Sequence, residues 1–288
     1  MKKRVATTSS LGFESKREIF RSDRDSKEVL VQKLCLSQLI ILELQFKLGK
    51  GGLSGALSDA LTQLVFQNVV DLNTVHFTQK GTGALSLYAA AMLQGNMDVQ
   101  LYLNDKGITP QHFEPVPGGN FKLGTTPKIA IGMAMAYKKM GVTRPVIVSL
   151  CEGDLGPGGM DVYAPMASQL GINNVVFILD KNGLGSVHKM DSLVTKNQEE
   201  DTWKQFGWAV VKADNTDVGS LTAAFERIGK EDKPLLIVAQ GAPKGWGYAE
   251  LENSQTSNHR LPTKQDYARN LMIKLHQCHT LIFGDSPT

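Results

Sequence analysis

The sequence predicts an α/β protein built on a doubly wound parallel sheet with helices on both faces. Three observations point there. The segments "PVIVSLCEGD" (145–154), "NVVFILDKN" (174–182) and "PLLIVAQ" (234–240) are apolar without alternation, as strands buried on both faces are. Segments with helical spacing separate them. Two consecutive strand candidates then end in a lone polar residue set among glycines, Asp154 and Asn182, at the edge where such sheets collect ligands.

The remaining elements follow in order. Residues 28–70 place apolar side chains at spacings of three and four, broken by "GKGGLSG" at 49–55. "TVHFTQ" (74–79) reads as a short strand, and "ALSLYAAAMLQ" (84–94) as a small-residue helix. Residues 103–128 are rich in Pro and Gly and form a long loop, either functional or partly disordered. "IAIGMAMAYKKM" (129–140) and "MDVYAPMASQLG" (160–171) are helices, the second with Pro165 awkwardly inside. A helix near 198–206, a strand at 208–213, a helix at 218–230 and a last helix at 263–277 complete the pattern. The expected organisation is an arm over residues 1–28, a domain over 29–270 and a tail over 271–288. There is no internal repeat or low-complexity segment.

Composition narrows the class. A net charge of +3 is too small to argue for a nucleic-acid partner. Part of the excess lies in Lys2, Lys3, Arg4, Lys16, Arg17, Arg21 and Arg24, where interspersed acids suggest a solvated, mobile arm. No signal-peptide core is recognisable, and "LCLSQLIILELQF" reads as too short and too polar to span a bilayer. Cys35, Cys151 and Cys278 have neither metal nor disulfide spacing. The expectation is a cytoplasmic protein with reduced thiols and no membrane or nucleic-acid partner.

If the strands ending at Asp154 and Asn182 are neighbours, a carboxylate, an amide oxygen and a nearby backbone carbonyl meet at one rim. So few hard oxygen donors suit a magnesium-like ion that completes its shell with water and a phosphate-bearing ligand. Gly153, Gly156, Gly158, Gly159, Gly183 and Gly185 would let backbone amides approach phosphate oxygens. The alternative is two ordinary turn residues, since Asp and Asn beside Gly are common at strand ends.

These segments resemble the thiamine-diphosphate enzymes. "EGD-x-G" followed by "NNVVFILDKNGLG" is similar to the diphosphate-binding motif, which starts Gly-Asp-Gly and ends in Asn. The flanks resemble the transketolase family. "FTQKGTGALSLYAAAMLQG" is similar to "FxLSKGHxxxxLYAxLxxxG", and "KLGTTPKIAIGMAMAYK" to "SLGQGLSIAVGMAxAxK". "TWKQFGWAVVKADNTDVGSLTAAFERI" and "PLLIVAQGAPKGWGYAELENS" with "NHRLPTKQDY" resemble later family segments. The likeness runs from about residue 30 to about 270 and is that of an amino-terminal, diphosphate-binding transketolase section.

The resemblance implies roles. Asp154 and Asn182 hold Mg²⁺ (or Ca²⁺) through side-chain oxygens, and Leu184 through its carbonyl. Gly153 and Leu155 offer backbone amides to thiamine diphosphate, with Gly124 (beside Thr125) in the shortened "LGQG" loop and Lys244 as a phosphate partner. His259 stands where the family has a histidine near the reacting carbon; otherwise it is a loop residue. His112 is a weaker candidate. His76, His188, His276 and His279 match nothing in the family pattern.

Three departures matter. Leu155 replaces the second glycine of Gly-Asp-Gly, where a side chain would narrow the diphosphate cradle unless Gly156 takes over the tight turn. Thr82 and Lys50 stand where the family has histidines that move protons and contact sugar hydroxyls. The part that holds cofactor is thus kept better than the part that reads sugar.

By the resemblance, a separate subunit with a pyrimidine-binding domain supplies the catalytic glutamate, in a hetero-oligomer such as a heterotetramer. The substrate is a small ketose or 2-oxoacid. The leading expectation is one subunit of a split transketolase-like enzyme that transfers a two-carbon ketol unit. The alternatives are an alpha-type subunit of a 2-oxoacid dehydrogenase that passes its unit to a lipoyl or carrier-protein thiol, and a non-catalytic homologue that scaffolds or regulates.

Overall fold

The computed structural model describes residues 19–48, 53–72, 76–78, 83–95, 124–155, 160–185, 189, 200–254 and 263–284. Three helices come first: α1 (Lys27–Leu48), α2 (Leu53–Ser58) and α3 (Ala60–Val69). Then follow β1 (His76–Thr78), α4 (Ala84–Leu93), α5 (Thr125–Lys139), β2 (Val146–Cys151) and α6 (Met160–Gln169). The chain continues through β3 (Val175–Lys181), α7 (Glu200–Gln205), β4 (Ala209–Asp214), α8 (Val218–Phe225), β5 (Leu235–Gln240) and α9 (Lys264–Phe283).

The strands form one parallel sheet in the order β1-β2-β3-β5-β4. The expected neighbours β2 and β3 pair directly, with Val146 opposite Val175 and Cys151 opposite Asp180. Their side chains divide between two cores, as unbroken apolar strands require. Val148, Leu150, Phe177 and Leu179 face α5, α6 and α7, and Ile147, Val176 and Ile178 face α1 to α4 and α8. On the first side Phe177 packs against Trp203 and Trp208, whose indole N–H donates to the Ala164 carbonyl at 2.9 Å.

Pro165 is accommodated inside α6 because the helical bond that it removes is to the carbonyl of Asp161, an exposed residue. Of the two small-residue helices, α4 is core, with Ala84 to Ala91 all buried. In α5 only Thr126, Pro127, Ala130, Ile131 and Ala134 are buried, and Ile129 faces outward.

Several expectations need correction. Residues 125–128 begin α5 rather than ending a loop; 103–123 lie outside the described residues. The helix expected at 218–230 stops at Phe225, and turns lead to Gly229 at φ +75°. The last helix runs on to Phe283 and docks on α1, so the boundary expected at 270 falls within it. The arm is partly docked: Phe20 bridges to Val70, and the Arg21 amide donates to the Val69 carbonyl at 3.0 Å. Residues 1–18 lie outside the description.

Cys35 and Cys278 are not free thiols, since they form a disulfide between α1 and α9 with Cα atoms 5.7 Å apart. Sequence spacing hid the pair because the two residues lie 243 positions apart. Finally, α1 is long and apolar enough to cross a membrane by length and composition, contrary to the expectation from its apolar cluster. Here it packs on α3, α4 and α9, burying Leu30, Ile41, Leu42 and Leu44 together with Ser37, Gln38 and Gln45.

Candidate diphosphate and metal site

β2 and β3 end side by side, and the chain turns tightly after each. After β2, a single 3₁₀ turn over Glu152–Asp154 brings the Asp154 side chain back over the strand end. Its Oδ2 accepts from the Cys151 amide at 3.0 Å and the Cys151 thiol at 3.1 Å. Its Oδ1 accepts from the Gly124 amide at 3.3 Å. Gly124 adopts φ +73°, which an L side chain rarely tolerates, and that conformation swings the chain into the N-terminus of α5. The fully buried carboxylate of Asp154 therefore sits at the positive end of a 15-residue helix.

After β3, Asn182 folds its side chain over the next turn, its Oδ1 accepting from the Leu184 amide at 3.1 Å. This Asx-type turn passes through Gly183 at φ +77°, where an added Cβ would meet nothing within 4 Å among the described residues. The turn thus borders open space. Leu184 is buried, with 7% exposure, and bridges to Lys189.

The two turns are tied together. Glu152, buried and carboxylate-bearing, accepts the Gly183 amide on Oε2 at 2.8 Å. From below, Asp180 Oδ2 accepts from Asn182 Nδ2 at 3.0 Å and from the Ser58 hydroxyl at 2.8 Å. Ser58 ends α2, and its neighbour Asp59 accepts from Gln63 Nε2 at 3.1 Å and the Ser86 hydroxyl at 3.3 Å. Four acidic residues thus stand buried at this rim or just behind it.

One cation approaches. Lys244 is buried, with 8% exposure, and donates to the Gly185 carbonyl at 2.7 Å. Its loop is pinned by the Gly245 amide donating to the Ser54 carbonyl at 2.9 Å and the Asn253 amide donating to Lys244 O at 2.9 Å. Gly245, at φ +88°, has no room for a Cβ against the Leu251 carbonyl.

The sequence-derived residues Asp154, Asn182, Leu184, Gly124 and Lys244 therefore gather around two strand ends. Gly153 and Leu155 belong to the same β2 turn. Leu155 has its side chain buried rather than presented at the surface of the turn. Its backbone is ordinary, φ −82° and ψ −29°, and its side chain is fully buried in the core under α5 and α6, away from the rim. His259, His112, Lys50, Thr82, Gly156, Gly158 and Gly159 lie outside the described residues. Glu152, Asp180, Ser58 and Asp59 were not anticipated. The first two stand inside the motif itself, and a carboxylate at the last turn of an otherwise apolar strand was the available signal. Ser58 and Asp59 carried none, because only the fold brings α2 to this edge.

The donor set fits a hard divalent ion: a carboxylate, an amide oxygen and a turn carbonyl beside open space, a helix N-terminus and a buried ammonium that would face anionic oxygens. Among the described residues no group of three or more His, Cys, Asp or Glu could hold a metal ion.

Comparison with known proteins identifies the family. The family model described as "Transketolase, thiamine diphosphate binding domain" matches residues 128–276. An apulose-4-phosphate transketolase subunit of Actinobacillus succinogenes is 27% identical over 198 residues, 65% of this chain and 71% of that one. The 6-deoxy-6-sulfo-D-fructose transketolase subunit SqwG of a Clostridium species is 23% identical over 267 residues, covering 86% and 94%. Among solved structures, the transketolase of Campylobacter jejuni superposes with a TM-score of 0.69 at 18% identity, covering 90% of this chain and 46% of that one. The chain thus spans less than half of that transketolase.

Proposed function

The chain belongs to the family of transketolase thiamine diphosphate-binding domains, and from that membership we propose that it is the diphosphate-binding subunit of a split transketolase-like enzyme, transferring a two-carbon ketol unit. The observation that carries the reading is the joining of the Asp154 and Asn182–Leu184 turns at adjacent strand ends through the Glu152–Gly183 hydrogen bond. Three of the similar proteins are named as transketolase subunits rather than as whole transketolases, which supports a division of the active site between chains.

Thiamine diphosphate supplies carbanion stabilisation when bound. The residues of this chain anchor its polar end. Asp154, Asn182 Oδ1 and the Leu184 carbonyl would hold Mg²⁺ (Ca²⁺ being the alternative ion), and Gly153 would present its amide to the diphosphate; the Leu155 amide donates to the Glu152 carbonyl at 3.2 Å, so it would join only by leaving that bond. The α5 N-terminus at Gly124 and the ammonium of Lys244 add positive potential where the anion lies. His259 is proposed to approach the reacting carbon. A partner chain with the pyrimidine-binding domain supplies the glutamate, in a hetero-oligomer of the heterotetramer kind, in the cytoplasm. Thr82 and Lys50 occupy sequence positions where the family has imidazoles, so a hydroxyl and an ammonium replace them. A lysine of ordinary pKa donates well but moves protons poorly near neutrality. Such a pair suits an anionic donor or a carrier's phosphate better than neutral sugar hydroxyls, so weak or no activity is expected on the xylulose 5-phosphate and ribose 5-phosphate pair.

The test is reconstitution with the pyrimidine-binding partner. Ketol transfer is expected only when both chains, thiamine diphosphate and Mg²⁺ are present. Turnover by this chain alone, or none by a complex that has bound the cofactor, would refute the assignment.

A further inference from the structure

Asn182 is the proposed ligand with the least certain orientation on chemical grounds, because a side-chain amide presents a donor and an acceptor of nearly equal shape. A metal needs the oxygen. We propose that Asp180 and Ser58 are positioning residues that fix the Asn182 amide in its metal-binding orientation; this rests on the diphosphate-binding reading above.

The hydrogen bonds determine the orientation. Asn182 Nδ2 lies 3.0 Å from Asp180 Oδ2 and 3.3 Å from the Ser58 hydroxyl oxygen. The Leu184 amide, a donor, lies 3.1 Å from Asn182 Oδ1. Rotating the amide by half a turn would set its oxygen against the Asp180 carboxylate and its N–H₂ against the Leu184 N–H. Both contacts would then be repulsive. The oxygen is thereby committed to the Gly183–Leu184 side, where it keeps a second lone pair beyond the Leu184 bond.

Asp180 itself is held from behind. Ser58 donates to the same Oδ2 at 2.8 Å, and the Ser58 carbonyl accepts from Asn215 Nδ2 at 3.2 Å. Asn215 in turn accepts the Ala242 amide on Oδ1 at 2.6 Å, two residues before Lys244. Ser58, Asp180 and Asn215 are all fully buried, so these bonds are shielded from water competition. The arrangement joins the end of α2, the end of β3 and the loop that carries Lys244. It gives a buried carboxylate inside an apolar strand, one residue before its half-buried end, a structural role.

Asp180 and Ser58 touch neither diphosphate nor metal in this account. They act through Asn182, so their loss should raise the cation requirement rather than abolish the fold. Outer partners of metal ligands are typically worth about 10–100-fold in metal affinity.

The experiment is titration calorimetry of the full chain, reconstituted with its pyrimidine-binding partner, with thiamine diphosphate over a range of Mg²⁺ concentrations, for wild type, Asp180→Asn and Ser58→Ala, with thermal unfolding of the chain in parallel. Asp180→Asn keeps the shape and removes the forcing charge. The half-saturating Mg²⁺ concentration is expected to rise about 10–100-fold in Asp180→Asn and less in Ser58→Ala, with cooperative unfolding retained. If Asp180→Asn does not fold, Ser58→Ala decides alone, because it removes one hydroxyl. Wild-type binding with an unchanged Mg²⁺ requirement in the folded variants overturns this inference and leaves the proposed function standing. A wild-type complex with no Mg²⁺-dependent binding overturns both.

Discussion

Glu152 Oε2 accepts a hydrogen bond from the backbone amide of Gly183 at 2.8 Å, so the turns after two adjacent strands are joined by a buried carboxylate. That contact makes one site of two sequence-distant turns. Glu152→Gln keeps an acceptor but removes the charge; Glu152→Ala leaves the Gly183 amide without this partner. A lost bond of this kind costs about 1–3 kcal/mol. The alanine variant is expected to lose that much stability in chemical denaturation and to bind thiamine diphosphate more weakly, with glutamine in between. Equal affinity in all three chains would show that the brace does not serve the site.

Asp154→Ala should affect both binding and stability. The carboxylate holds three donors, from Cys151 N, Cys151 Sγ and Gly124 N. Its loss is expected to weaken Mg²⁺-dependent thiamine diphosphate binding by at least about 100-fold, above the range for groups that act through a ligand. The unfolding midpoint should also fall. Calorimetry with unchanged affinity would remove Asp154 from the metal.

Leu155→Gly restores the family's glycine and offers a sharp contrast. If the side chain narrowed the diphosphate cradle, the change would tighten binding. The burial of Leu155 in the α5–α6 core predicts the reverse emphasis: a loss of roughly 3–5 kcal/mol of stability, by cavity formation and added backbone freedom, with no gain in affinity. Tighter binding with little destabilisation would restore the steric reading.

Lys274 predicts a pH dependence. It is buried between α1 and α9, donates to Gln38 Oε1 at 2.9 Å and stands 4.8 Å from the Tyr248 ring centroid. Burial draws its pKa down to about 8, with the charge of Glu252 opposing. The unfolded chain's lysine titrates near ~10.4, so from about pH 8 upward the unfolded state binds more protons, and this group's contribution to stability rises with pH. Below that window the penalty on the folded state is present in full. Lys274→Met removes the dependence. The gap in thermal midpoint, variant minus wild type, should shrink from about pH 7 to about pH 9.5, a range kept below the unfolded tyrosine titration near ~10. Parallel pH profiles would contradict the assignment.

The parallel sheet was legible because β2, β3 and β5 are apolar on both faces, and Asp154 and Asn182 were legible because they end two consecutive apolar strands at the rim where such sheets collect ligands. Other features were not. Nothing local distinguishes Ser58 from Ser54, the other serine of α2, since its role exists only once α2 meets the end of β3. Nor could the Cys35–Cys278 disulfide be read, because it depends on α9 docking along α1 across 243 positions. Leu155 shows the converse limit. A motif departure looked obstructive in one dimension, whereas the 3₁₀ turn at Glu152–Asp154 sends the side chain into the core.

On the proposed reading, this chain holds the diphosphate end of thiamine diphosphate through a divalent ion. The measurement that bears on this is calorimetric titration of the chain, reconstituted with its pyrimidine-binding partner, with thiamine diphosphate, with Mg²⁺ and with a chelator, and thiamine itself as control. Binding is expected to need both Mg²⁺ and the diphosphate. Equal binding in chelator, binding of thiamine as tight as of its diphosphate, or no binding at all would contradict it.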